Sequence, residues 1–165
     1  MFKRTALILS IVAICLFFSF PLTLADERFT DNGDGTVTDH LLGVMWGKED
    51  TKGDVDWKSA ERWVKYTFPF SLSPEKREGW RLPTIKELQS LYVRDKGYKG
   101  YETDCGQKVK IVSQIKLSCG WVWSSEKRNI TARVYNFQRG YHYTDRRVHK
   151  KAYRALAVKD LKPGK

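Results

Sequence analysis

The sequence predicts an α+β fold, two helices packed on twisted antiparallel strands, and three local patterns carry that reading. The first is Gly79 to Leu91, where a short strand hands over to a capped helix within four residues. The second is Asn32-Gly33-Asp34-Gly35, a hairpin signal flanked by Phe29-Thr30 and Thr36-Val37-Thr38. The third is the sheet region that opens at Trp121-Val122-Trp123, resumes from Arg133 to Gln138 and turns at Arg139-Gly140. Tyr141 to Ala157 then supplies one or two further strands.

In chain order, residues 1–25 read as a signal peptide. Lys3 and Arg4 precede an apolar run from Ala6 to Phe20, Pro21 breaks it, and Thr23 and Ala25 place small residues before a cleavage point. The alternative is an uncleaved inner-membrane anchor, because the stretch to Leu24 approaches the ~20 residues of a membrane span. Both readings export the domain, to the periplasm or the extracellular space. Residues 26–165 form a single domain of ordinary size. Within the hairpin, Asp31, Asn32 and Asp34 raise the question of calcium. An EF-hand loop from Asp31 requires a carboxylate at Leu42, so the cluster reads as a turn and no metal is expected.

Asp56 is placed to cap a helix over 56–67, whose Trp57, Ala60, Val64 and Thr67 share one face and which Phe68-Pro69 ends. The second helix spans 84–93. Pro83 holds Leu82 extended, Thr84 takes the cap, and Glu87 completes a capping box. Ile85, Leu88 and Leu91 then form an apolar face. Residues from about 94 to 120 are an insertion rich in glycine and lysine, expected to be irregular and on the surface. Its Cys105 and Cys119 remain once Cys15 leaves with the export segment. In an exported chain such a pair reads as a disulfide, with metal ligation and redox chemistry as the weaker alternatives.

Charge is the main functional signal. Residues 26–93 carry a net −3 and residues 94–165 a net +12. The densest run is Arg139 to Lys151. If it is extended, alternation puts Arg147, His149 and Lys151 on one face, with Arg146, Val148 and Lys150 on the other. With Arg133 added, the residues Arg133, Arg139, Arg146, Arg147, Lys150 and Lys151 form a candidate strip for sulfates, phosphates or carboxylates. The partners in view are an acidic polysaccharide, a glycosaminoglycan or a lipopolysaccharide-type polyanion. Nucleic acid fits the electrostatics but not the export signal. The competing reading is a solvated basic loop. No catalytic constellation is visible: His40, His142 and His149 stand at no telling spacing, and Ser124-Ser125 reads as satisfying backbone at a strand end. A non-enzyme without cofactor is therefore expected.

Four stretches also carry a resemblance. They are Arg28 to Asp39 with Gly43-Val44-Met45-Trp46, then Gly79 to Leu91, then Trp123-Ser124-Ser125, and finally Val134-Tyr135-Asn136-Phe137 with a closing strand near Tyr153 to Val158. In this order they resemble the Lcl C-terminal domain family, secreted bacterial domains named for a collagen-like adhesin. The resemblance implies a C-type-lectin-like architecture related to the formylglycine-generating enzyme fold, and glycosaminoglycan-type binding. It implies structural roles for Trp46, Trp80, Arg81, Leu82, Pro83, Glu87, Trp123, Asn136 and Phe137. The reactive cysteine pair of formylglycine chemistry has no counterpart in these motifs. A protein–protein module of an envelope assembly and an enzyme on that scaffold remain as alternatives.

Overall fold

Which strands meet is decided by where the apolar residues alternate. The computed structural model describes residues 28–161, and the predicted export segment lies outside them. The chain is α+β, with mostly antiparallel strands. Strands β1 (Phe29–Asp31), β2 (Thr36–Asp39) and β3 (Val44–Gly47) form a meander through the predicted hairpin, and β10 (Val158–Asp160) closes that sheet against β3. A second sheet runs β8-β7-β6-β9, made of β6 (Trp121–Arg128), β7 (Thr131–Asn136), β8 (Tyr141–Arg146) and β9 (Tyr153–Arg154), with β9 parallel to β6.

Helix α1 (Trp57–Arg62) begins as expected, with the Asp56 carboxylate accepting from the Ser59 N–H at 2.7 Å. It does not end at Thr67. A π-helical turn, Trp63–Thr67, passes the chain to α2 (Phe68–Phe70). The wide turn lets Pro69 follow without a missing α-helical donor, and it shifts the phase by one residue. Thr67 is therefore exposed, contrary to its expected place on the buried face, while Phe68 turns inward. Phe68 fits against Gly47, where a Cβ would stand 2.9 Å from its ring, and packs edge-on to Trp80 at 4.8 Å.

Helix α3 (Ile85–Leu91) carries the full capping box, with the Thr84 N–H donating to Glu87 at 2.7 Å and the Glu87 N–H to the Thr84 hydroxyl at 3.2 Å. It stops short of the expected residue 93. Tyr92 is extended and bridges Ile111, while the Val93 N–H is taken by the Lys110 carbonyl. Arg81 grips Glu87 through two bonds of 2.9 and 2.8 Å and reaches Asp160 at 2.6 Å, so it ties α3 to β10.

The insertion corrects the sequence reading. It contains β4 (Tyr101–Glu102) and β5 (Lys108–Val109), and the disulfide Cys105–Cys119 is present. Far from being a surface excursion, it sends Val109, Ile111, Ile115 and Leu117 into the core. They join Val37, Trp46, Leu88, Leu91, Tyr135 and Phe137 in one apolar cluster. A second cluster, with Trp57, Val64, Trp80, Trp123, Val134 and Tyr153, lies under α1. Residues of β7 alternate between the two clusters, so the second sheet is covered on both faces. Among the described residues, no helix is long and apolar enough to cross a membrane, and no group of His, Cys, Asp or Glu is arranged to hold a metal ion.

Candidate functional site

The most basic concavity is built by two segments far apart in sequence. Asn136, buried at the end of β7, accepts from the Gln138 and Arg139 N–H groups at 2.6 and 3.1 Å and so shapes the turn that carries Arg139. Gly140 closes that turn at positive φ, and a Cβ there would lie 2.5 Å from the Tyr92 ring. From the other side the insertion is tied down by its backbone, the Lys110 N–H donating to the Phe137 carbonyl at 2.8 Å. The Tyr98 hydroxyl adds a bond of 2.8 Å to the Ile111 carbonyl.

Between them lies a depression of about 420 Å³ walled by Lys96, Lys99, Lys108, Lys110 and Arg139, with Tyr98 and Gln138. None of these five cations makes an ion pair among the described residues. The neighbouring Asp95 carboxylate is turned to the Gly97 N–H at 2.8 Å. Glu102 is the cross-strand partner of Lys108, and with Asp104 it lines a separate concavity that includes Lys52 and Lys116.

The predicted strip is dispersed. Its strand ends at Arg146, so the expected alternation through Lys151 does not occur. The chain turns because the Arg147 carbonyl accepts from the Trp57 N–H at 2.9 Å, capping the start of α1. The Arg147 guanidinium lies 4.7 Å from the Trp57 ring centre and donates to the Asn129 carbonyl at 3.0 Å. Lys127 contacts the same ring at 4.5 Å. Arg133 is paired with Glu126 at 2.9 Å, and the other Glu126 oxygen accepts from the Ile85 N–H at 3.0 Å. A register shift in β6 between Trp123 and Lys127 brings Glu126 to that position. Arg133 thus lines a depression of about 680 Å³ in which a carboxylate already sits among the cations. Lys151 approaches Asp145 at 3.5 Å. Arg146 and Lys150 are exposed without an ion pair among the described residues, and Arg139 belongs to the insertion basin.

Asp145 anchors a polar cluster. Burial would raise its pKa, but hydrogen bonds from the Tyr153 hydroxyl, the Arg146 N–H and His149 outweigh it and hold the carboxyl at about 2. Burial, with the bond to Asp145, pushes the Tyr153 phenol upward, and Tyr143 bonds to the same hydroxyl. Ser124 donates to the Arg133 carbonyl at 3.1 Å and accepts from the Glu126 N–H at 3.2 Å, the backbone role expected of it. A further buried network joins Asp50, Ser118 and Arg154. Ser118 gives Asp50 bonds of 2.7 and 2.8 Å, and the Arg154 Nε donates to the Ser118 hydroxyl at 2.7 Å. Burial pushes the Asp50 carboxyl up despite these bonds.

Lys96, Lys99, Lys108 and Lys110 were not among the sequence-predicted site residues. Their signal was the lysine density of the insertion, but the Arg139 that completes the basin lies about thirty residues further on. The chain belongs to the Lcl C-terminal domain family, whose model matches residues 35–159. No curated protein matches it.

Proposed function

Proceeding from that family membership, we propose that this Lcl C-terminal domain is an exported, non-catalytic binding module for an acidic polysaccharide. Its main site is the basin of Lys96, Lys99, Lys108, Lys110 and Arg139. The observation that carries this reading is the basin's uncompensated charge: five cations face one concavity without an ion-pair partner among the described residues. Convergent like charges cost self-repulsion, and a bound polyanion relieves it while releasing its own counterions. Four lysines to one arginine favour spaced sulfates, phosphates or carboxylates read as point charges, over a single group held in a bidentate fork. Glycosaminoglycans and lipopolysaccharide-type phosphates share that chemistry. The C-type-lectin-like scaffold the family implies is compatible with a rigid frame carrying such a surface.

Two features support the non-catalytic reading. The Asp145–Tyr153 pair is displaced away from neutral pH in both members, the wrong direction for an acid or base at work near pH 7. Ser124 is committed to the backbone on both its donor and acceptor sides.

The test compares two charge-reversed proteins for heparin binding across a salt titration. One changes Lys96, Lys99, Lys108 and Arg139 to Glu; the other changes Arg146, Lys150 and Lys151 to Glu. The basin variant is expected to lose about 100-fold or more in affinity at low salt and most of the salt slope. The strip variant is expected to stay within about threefold of wild type. Absence of heparin binding by wild type, or a larger loss in the strip variant, overturns the proposal.

A further inference from the structure

A second concavity differs in electrostatic character, its charged side chains being ion-paired. It lies between the β1–β2 turn and the helical stretch α1–α2, with a volume of about 440 Å³, within the ~300–1,000 Å³ range of small-ligand pockets. Trp63 and Phe68 form its aromatic wall, and Gly33 and Gly35 present bare backbone opposite. Open space surrounds the position a Cβ would take at either glycine.

Of the six tryptophans, four are buried and spend their indole N–H inside the protein. Trp46 donates toward Asp39, Trp57 to the Ser124 carbonyl, Trp80 to the Lys76 carbonyl and Trp123 to the Val55 carbonyl. Trp63 and Trp121 are half-buried, with N–H groups that have no acceptor among the described residues. Trp121 is flanked edge-on by Tyr141 and Tyr143 at 5.8 and 5.0 Å. The ring partner of Trp63 is Phe68, inclined at 40° and 5.4 Å away, and it is Trp63 that lines a pocket.

The charged side chains that line this pocket are all engaged in ion pairs. Lys48 is paired with Asp31, Glu49 with Lys52 at 2.7 Å, and Asp50 with Arg154 at 4.0 Å. A free anion or cation meets side chains that are already paired, Asp50 sharing Arg154 with Asp54 at 2.5 Å. What remains is an apolar ring face, an unspent N–H donor, and ion-paired oxygens and ammonium groups still able to take further hydrogen bonds. An uncharged ligand with a flat C–H face and a rim of hydroxyls matches that set.

We infer that this pocket binds an uncharged pyranose, stacked on Trp63, as a subsite separate from the basic basin. The fixed Phe68 ring positions the tryptophan, and Lys48 and Asp31 offer a donor and an acceptor to the sugar hydroxyls. Because the ligand is uncharged, binding is insensitive to salt and does not depend on the proposed polyanion function.

The experiment titrates indole-¹⁵N-labelled protein with cellobiose, lactose, mannobiose and chitobiose in high salt, with the Trp63 resonance assigned by its loss in Trp63→Phe. The expected result is a saturable shift of the Trp63 N–H by at least one sugar while the Trp121 N–H stays still. Affinity should fall several-fold in Trp63→Phe, which keeps a ring to hold the packing, and further in Trp63→Ala if that variant folds. It should be unchanged in the charge-reversed basin variant. Absence of a Trp63 shift with all four sugars, equal movement of Trp121, or undiminished binding in Trp63→Phe would overturn the inference.

Discussion

The run from Arg146 to Lys151 and the lysines between 96 and 110 carry similar charge, yet the fold treats them differently. In the first, Arg147 lies on Trp57, and Asp145 draws in both His149 and Lys151. In the second, four lysines and Arg139 share a concavity with no carboxylate partner among the described residues. In the run, Asp145 supplies a counter-ion from within the segment, while the Trp57 ring that covers Arg147 comes from the start of α1. The insertion lysines, which the fold joins to Arg139, make no ion pair among the described residues, and it is their charge that stays available.

The difference can be attacked first at the frame of the basin. Replacing Cys105 and Cys119 with Ser should lower stability by about 3 kcal/mol, read from urea unfolding, since the bridge closes a loop of moderate length. Heparin affinity should fall in the still-folded variant, because Lys108 lies between the two cysteines. Unchanged affinity would separate the basin from its frame.

A smaller effect is expected at Arg147. Its change to Ala should cost about 0.5–1 kcal/mol through the lost contact with Trp57, with heparin affinity almost unaltered. A large affinity loss would return the site to the strip.

A third effect concerns acid. The Asp145 carboxyl is held at about 2 in the folded protein against an ordinary 3.8, so its contribution is complete above pH 3.8 and is lost as pH falls toward 2. Melting temperatures of wild type should therefore drop more steeply over that window than those of Asp145→Asn. Parallel curves would mean that the Asp145 cluster contributes nothing to the folding of the strip.

Local instructions were legible in the sequence wherever one segment decides its own conformation. The Thr84–Glu87 capping box, the Asp56 cap, the hairpin at Asn32 to Gly35 and the Cys105–Cys119 pairing all belong to that class. What escaped depends on partners distant in sequence. Helix α3 stops at Leu91 because Ile111 and Lys110 claim the next backbone groups. Thr67 faces water because a π-helical turn before Pro69 shifts the phase of the helix. Val109, Ile111 and Ile115 were hidden among lysines and glycines, so their segment read as solvent-facing when it is half core. Arg139 alone of the predicted cations joins the basin, since only the turn shaped by Asn136 brings it to the insertion.

The first sheet has a consequence in time. Its inner strand β3 pairs on one side with β2, made just before it, and on the other with β10, where Trp46 meets Val158. Arg81 makes the same long connection, joining Glu87 to Asp160. With these contacts spanning most of the described chain, folding is governed by slow non-local closure. While residue 160 is still on the ribosome, Trp46 lacks its β10 neighbour and the sheet stays unsealed. Until β10 is made and pairs with β3, the first sheet lacks its closing strand, and it locks only afterwards.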